Sequence, residues 1–186
     1  MHALVRHPCA PPSELVSLEA ACDRLRTGAW EFRYLLRAEG AAFTFLAPLF
    51  PFRAYRAERT PRRADRLWEH TCFEAFLASA NRSDYREFNF SPSGDWAVYD
   101  FSDYRQGRAD APVEAPKIST RLRPPLLELR AVVAYSDGAA FSDAMRVGLS
   151  AVVETPGGLT YWALHHAGER PDFHRRDGFL CEPGRG

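Results

Sequence analysis

Two carboxylates and an amide set the first chemical question of this chain. Glu74, Glu87 and Asn89 sit in "LWEHTCFEAFLA" (67–78) and "YREFNFSPSGDWAVYDF" (85–101), two runs with the alternation of β-strands. If those strands pair side by side, Glu74 shares a surface with Glu87, Asn89 and Tyr99, and with Trp68 and His70 nearby. Paired carboxylates do the acid and base work of glycoside hydrolysis, at about 5–5.5 Å apart for retention and about 6.5–9.5 Å for inversion. Adjacent strands permit either spacing. The same groups also suit binding without chemistry. A pyranose offers its C–H face to a flat ring and its hydroxyls to acids and amides, while aromatic side chains supply rigid contact area. No nucleophile elbow, no glycine-rich phosphate loop and no obvious means of separating the two carboxylate pKa values accompany the pair, so binding is preferred over catalysis.

A second cluster lies near the end of the chain. "YWALHHAGERPDFHRRDGF" (161–179) holds Trp162, His165, His166, Asp172, Phe173 and His174 where a strand runs into a loop, the position at which binding groups collect. It reads as a ligand rim or as an imidazole and carboxylate metal site. The spacing is not that of a helical HExxH, and no thiolate is near, so a metal is not expected. Ordinary exposed or hydrogen-bonded histidines are the plainer alternative.

These residues need a frame, and the frame reads as all-β. Twelve glycines and fourteen prolines punctuate short runs rich in aromatic and β-branched residues. "AWEFRYLLR" (29–37) alternates with Trp30, Phe32, Tyr34 and Leu36 on one side, and "AFTFLAPLF" follows Gly40. "PLLELRAVVAYS" (125–136) is a further strand, and "MRVGLSAVVETPGGLTYWALHH" (145–166) reads as two strands around Thr-Pro-Gly-Gly. "SELVSLEAACDRLR" (13–26) has a helical start signal at Ser13, but a strand pairing with 29–37 across "RTG" suits the rest better. Seven or more strands without βαβ alternation predict an antiparallel β-sandwich.

Within the hairpin, Ser91-Pro92-Ser93-Gly94 suits a type I turn, and a left-handed Gly94 makes a three-residue loop with a bulge. That register puts Trp96 and Val98 beside Phe88 and Phe90 on the core side, with Ala97 and Tyr99 outside. A two-residue loop would slip the pairing and turn Trp96 outward. Both registers remain open, so Trp96 stays a candidate for the ligand face.

Composition bounds the remainder. With 46% hydrophobic and 26% charged residues over 186 positions, the chain fits one globular domain, residues 1–186. The 24 basic side chains balance the 24 acidic ones, which gives no reason to expect nucleic acid or an anionic membrane as partner. "RAYRAERTPRRADR" (53–66) is a local exception, read as a solvated loop rather than an anion patch. No apolar run approaches the ~18 residues of a membrane span. The start "MHALVRHPCAPPSEL" has no signal-peptide core, and Cys9, Cys22, Cys72 and Cys181 lie scattered without a CxxC, which leads to an expected cytoplasmic location.

"RADRLWEHTCFEAFL", "YREFNFSPSGDWAVYDF" and "YWALHHAGERPDFHRRDGF" together resemble bacterial DOMON-like domains, which are related to the family 9 carbohydrate-binding modules. The resemblance runs from about residue 14 to 180. It implies a non-catalytic β-sandwich binding a small molecule, typically a sugar or a haem, with a protein partner as a further possibility. Sugar-binding relatives hold a terminal sugar between two tryptophans, with acids and amides on its hydroxyls. By that resemblance the candidates are Trp68, Trp96 and Trp162, with Glu74, Glu87 and Asn89, and with Tyr99, His165, Asp172 and His174 at the rim. The structural calcium of such relatives is not expected, since no loop has EF-hand-like ligand spacing. Haem is the runner-up cofactor. It would use a histidine (His165, His166 or His174) with Met145, the one methionine beyond the first residue.

Overall fold

The computed structural model describes residues 1–9, 15–49, 60–134, 145–182 and 184–185, excluding the side chains of residues 15, 16, 184 and 185. Arg53, Arg56, Arg59, Ser13 and residues 135–136 of the runs above fall outside it. The strands begin with β1 (His2–Ala3), β2 (Val5–Arg6), β3 (Leu15–Arg24) and β4 (Trp30–Ala38). β5 (Cys72–Ser79), β6 (Tyr85–Phe90), β7 (Trp96–Phe101) and β8 (Ala109–Asp110) follow. β9 (Lys117–Arg123), β10 (Leu126–Val133), β11 (Met145–Thr155), β12 (Gly158–Ala163) and β13 (Gly184–Arg185) complete the set.

They form two sheets packed face to face. One runs β1-β3-β4-β10-β9 with β13 alongside β3, and the other runs β2-β12-β11-β5-β6-β7-β8. Among the described residues the pairings are antiparallel except β13 with β3. This is the β-sandwich that the strand rhythm predicts. The segment 13–26 contributes β3, whose pairing with β4 across Thr27 and Gly28 resolves the helix-or-strand choice in favour of strand.

Alternation explains the first sheet. On β4, Trp30, Phe32, Tyr34 and Leu36 are buried while Arg33 and Arg37 ride outside, and β10 inserts Leu127, Leu129, Ala131 and Val133 beside them. Across the core, the Phe32 ring lies 5.1 Å from Phe88 and 5.4 Å from Phe90. Tyr34 packs 5.0 Å from Phe73 and donates its hydroxyl to the Glu74 carbonyl at 2.7 Å, which ties the two sheets together beneath the floor of the second.

Five expectations are corrected here. Trp96 and Trp162 belong to the core between the sheets, at 6% and 5% exposure, so neither can stack on a ligand. The turn decides the first. Ser91 donates its N–H to the Asp95 carbonyl at 2.9 Å and Gly94 takes φ +94°, the three-residue loop that pairs Trp96 with Phe90. Trp162 alternates inward on β12 and donates its indole N–H to Thr160 Oγ1 at 3.0 Å. Met145 opens β11 inside the same core, which removes it as an axial haem ligand.

The fourth correction is a helix, α1 (Gly40–Leu46), in place of an apolar β run. Ala42 and Leu46, four residues apart, put its one buried stripe on the core. The fifth is that the alternation of 67–78 starts too early. Residues 67–69 form a 3₁₀ turn and the strand begins at Cys72, so Trp68 and His70 precede it. β9 carries a plain alternation that the sequence reading passed over. Part of the arginine-rich run is also structural. Arg63 lies 4.4 Å over the Trp96 ring and donates to the carbonyls of Val98 and Ala111 at 3.0 and 2.8 Å. No described helix is long and apolar enough to cross a membrane.

Candidate functional site

β5 and β6 are buried on both faces, and this is what makes the site. Their outer side chains would meet water in a plain sandwich. Here they meet three covering segments: the 3₁₀ turn at 67–69, the loop after β7, and the C-terminal stretch through residue 179. Phe76, Tyr85, Phe101 and Phe179 form a second apolar cluster under that cover. Tyr85 stacks on Phe101 at 4.8 Å, and Phe76 on Phe179 at 5.6 Å. His174 wedges edge-on between Phe76 and Phe101, 5.2 Å from each ring.

Between these covers lies a cleft of about 540 Å³. Its floor carries Glu74 from β5 and Glu87 from β6, on diagonal positions, since Glu74 faces Asn89 and Glu87 faces Phe76 across the strand pair. Trp68, Tyr161, Phe173 and Phe101 form aromatic walls, and Arg105 and Arg108 stand at the mouth. Tyr161 and Phe173 are 6.4 Å apart. Each arginine has its own acid. Arg105 reaches Asp172 at 2.8 Å and Arg108 reaches Asp65 at 3.3 Å. Asp172 also accepts the Tyr104 hydroxyl and the His174 N–H. Arg105 holds φ +52°, a left-handed backbone that a bulky side chain adopts at a cost, and the Asp172 pair helps to hold it there.

The floor is electrostatically unusual. Burial pushes the Glu74 carboxyl well above the ordinary carboxylate range, the neighbouring Glu87 adds to this, and Arg105 opposes it. Glu74 Oε1 is buried without a hydrogen-bond partner, as is Ser150 Oγ, which stands opposite Glu74 on β11. Burial also raises Glu87, to about 7, against the opposing pull of the Asn89 hydrogen bond, Arg108 and Arg105. Asn89 donates its amide to Glu87 Oε1 at 2.8 Å and accepts the Cys72 thiol at 3.5 Å. His174 runs the other way, held down at about 4 by burial and by Arg105. Its Nδ1 is 2.7 Å from the Tyr85 hydroxyl, and Nε2 is 3.9 Å from Glu87. A neutral imidazole at that distance makes a dipolar contact with the acid rather than an ion pair. The structure therefore raises both carboxyls of the floor by burial, which no sequence feature indicates.

The residues singled out from sequence divide into five groups. Trp68, Glu74, Glu87 and His174 line the cleft. Asn89 and Tyr99 lie behind it. Asn89 is fully buried and orients Glu87, while Tyr99 donates to Asp65 at 2.6 Å with Arg108 4.6 Å over its ring. Asp172 anchors the rim. His165 is exposed and lines a separate small hollow beside Gly148, and His70 pairs with Glu154 at 3.2 Å on the surface. Trp96 and Trp162 are interior, as above. Sequence reasoning missed Arg105, Arg108 and Tyr161. The arginines sit in "DYRQGRAD" (103–110), a polar loop directly after a strand, which was the available signal. Among the described residues no group of three histidines, cysteines or acids is arranged to hold a metal ion, and the four cysteines are unpaired.

A scan against protein-family models finds no match, and neither does a search of curated proteins. Among solved structures, the chain is similar to one from Bacteroides uniformis described as a "putative carbohydrate-binding protein". The TM-score is 0.66 at 15% identity, over 96% of this chain and 83% of that one. Likeness at that identity is likeness of fold, and it extends over nearly the whole β-sandwich.

Proposed function

We propose that this chain is a non-catalytic binding module for a carbohydrate or sugar-like metabolite, DOMON-like in type and related to the family 9 carbohydrate-binding modules. The observation that carries the reading is the cleft itself. Its volume of about 540 Å³ falls within the ~300–1,000 Å³ of small-molecule sites. Its walls are flat rings, its floor holds acids, and its mouth holds guanidinium donors. Flat rings take the C–H faces of a pyranose, while fixed acids and guanidinium groups take its hydroxyls. The fold shared with a protein described as carbohydrate-binding supports the same reading. The four unpaired thiols support a reducing compartment such as the cytoplasm.

Glycoside hydrolysis is the weaker use of the same acids. Hydrolases place their two carboxyl groups on opposite flanks of the scissile bond. Glu74 and Glu87 instead share one floor, on neighbouring strands, and a ligand resting there has both on the same side.

A thermal-shift series with mono- and oligosaccharides tests the proposal. A ligand at about 100 times its Kd adds about 2.7 kcal/mol of stability. A dose-dependent rise that Trp68→Ala removes, with no turnover of aryl glycosides, is the expected result. No rise at millimolar concentration of any saccharide sinks it, and turnover lost in Glu74→Gln would make the chain an enzyme.

A further inference from the structure

The charges of the cleft do not balance, and the imbalance has a chemical meaning. Arg105 at the mouth is matched by Asp172, Arg108 by Asp65, and Arg66 beside the Trp68 turn by Glu69. Glu74 and Glu87 are the two acids left over on the floor, with neutral His174 as the remaining titratable neighbour on the wall. Asn89 gives Glu87 a hydrogen bond but no charge. Glu74 feels the charge of Arg105, which is already paired with Asp172, and its Oε1 is a buried acceptor with no donor. Ser150 Oγ, opposite it on β11, is a second buried oxygen with no partner.

Resting on the sugar-binding reading above, we infer that the saccharide of this cleft carries a protonated amino group, and that its ammonium is seated on Glu74. An ammonium brings three donors and a full positive charge. Glu74 Oε1 is the unmet acceptor for it on the cleft floor, and Glu87 stands beside it. A hydroxyl brings one donor and no charge, so it does nothing to favour the ionised form of either acid. Hydrogen bonds with an ionised partner are about twice as strong as neutral ones.

The exchange also fixes a proton balance. In the empty cleft the Glu74 carboxyl is pushed toward its protonated form, because burial and Glu87 from β6 oppose its charge more than Arg105 favours it. Seating the ammonium ionises Glu74, so the carboxyl proton leaves to solvent as the charged pair forms. Arg105 stays engaged with Asp172, and Arg108 with Asp65.

Titration calorimetry of the intact protein at pH 7 with glucosamine, glucose and N-acetylglucosamine tests this, run in two buffers of different ionisation enthalpy. N-acetylation keeps the nitrogen and removes the charge. The expected result is glucosamine binding at least about tenfold more tightly than either neutral sugar, with a net release of protons on binding. Glu74→Gln should abolish both the preference and the proton release. Should that variant not fold, the proton count of the natural protein decides alone. Glucose binding as well as glucosamine, or glucosamine binding without proton release, overturns the amino-group inference and leaves the sugar reading intact. Binding of none of the three, nor of an oligosaccharide panel, overturns both.

Discussion

Replacing Glu87 by glutamine should change the pH dependence of stability in a way that the buried floor dictates. Burial lifts the Glu87 carboxyl from an ordinary 4.5 to about 7 in the folded protein. The unfolded chain therefore releases this proton first, and between the two values the folded state holds one proton more. Stability falls as pH rises across that window, at about 1.4 kcal/mol per pH unit. The accumulated penalty is roughly 3 kcal/mol by pH 8. His174 contributes the opposite slope. Its imidazole is held at about 4 against an ordinary 6.5, so it stays neutral while the unfolded chain takes up a proton, and stability rises with pH until about 6.5. The natural profile is consequently shallow below pH 6.5 and falls above it. Glu87→Gln removes the carboxylate slope alone and keeps an oxygen to accept from Asn89. Removing a neighbouring charge also eases the ionisation of Glu74, which acts in the same direction. Urea unfolding of both proteins at pH 5, 6, 7 and 8 should show the variant gaining roughly 2.5 kcal/mol on the natural protein across the series. Two parallel profiles, offset by a constant, would mean that Glu87 ionises as an exposed carboxyl does, and the account of the floor would fail.

Four further outcomes follow from single contacts. Trp68→Ala should weaken saccharide binding by about tenfold or more with little change in Tm, since Trp68 is a half-buried wall. Trp162→Ala should cost about 3–5 kcal/mol of stability instead, because that ring is core; calorimetric titration beside thermal unfolding separates the two. Gly148→Ala should lower Tm by an amount equivalent to about 1–3 kcal/mol. Its new Cβ would stand 2.6 Å from Phe179 Cδ1 and 2.9 Å from Cε1, and relief requires lifting the segment that carries His174, so ligand affinity should fall with it. Arg105→Ala should raise the Asp172 carboxyl from its lowered pKa and reduce affinity for saccharides, both readable from an NMR titration.

The fold was legible where one face of a strand is core and the other is water. In β4 the alternation of Trp30, Phe32, Tyr34 and Leu36 against charged neighbours names the inner face without ambiguity. The turn at Pro92 and Gly94 leaves two registers open from sequence, and the left-handed Gly94 of the folded chain decides between them. Alternation loses that power in β5 and β6, where both faces are buried and polar residues no longer mark the outside. The tryptophans show the consequence. Trp96 and Trp162 are as aromatic and as well spaced as Trp68, yet the one on a short 3₁₀ turn outside any strand is the one that reaches the cleft.

What hid the site is distance along the chain. The covers are held by pairs such as Tyr85 with His174 and Arg105 with Asp172, 89 and 67 residues apart, and no local pattern announces either. Charge tells the same story at a larger scale. The chain counts 24 basic against 24 acidic side chains, which reads as the absence of any electrostatic preference. Folding redistributes that zero. It gives Arg105 and Arg108 their aspartates at the mouth and leaves Glu74 and Glu87 together on the floor without a cation of their own. A neutral composition therefore conceals a local excess of acid, and the chemistry of this cleft rests on that excess rather than on the total.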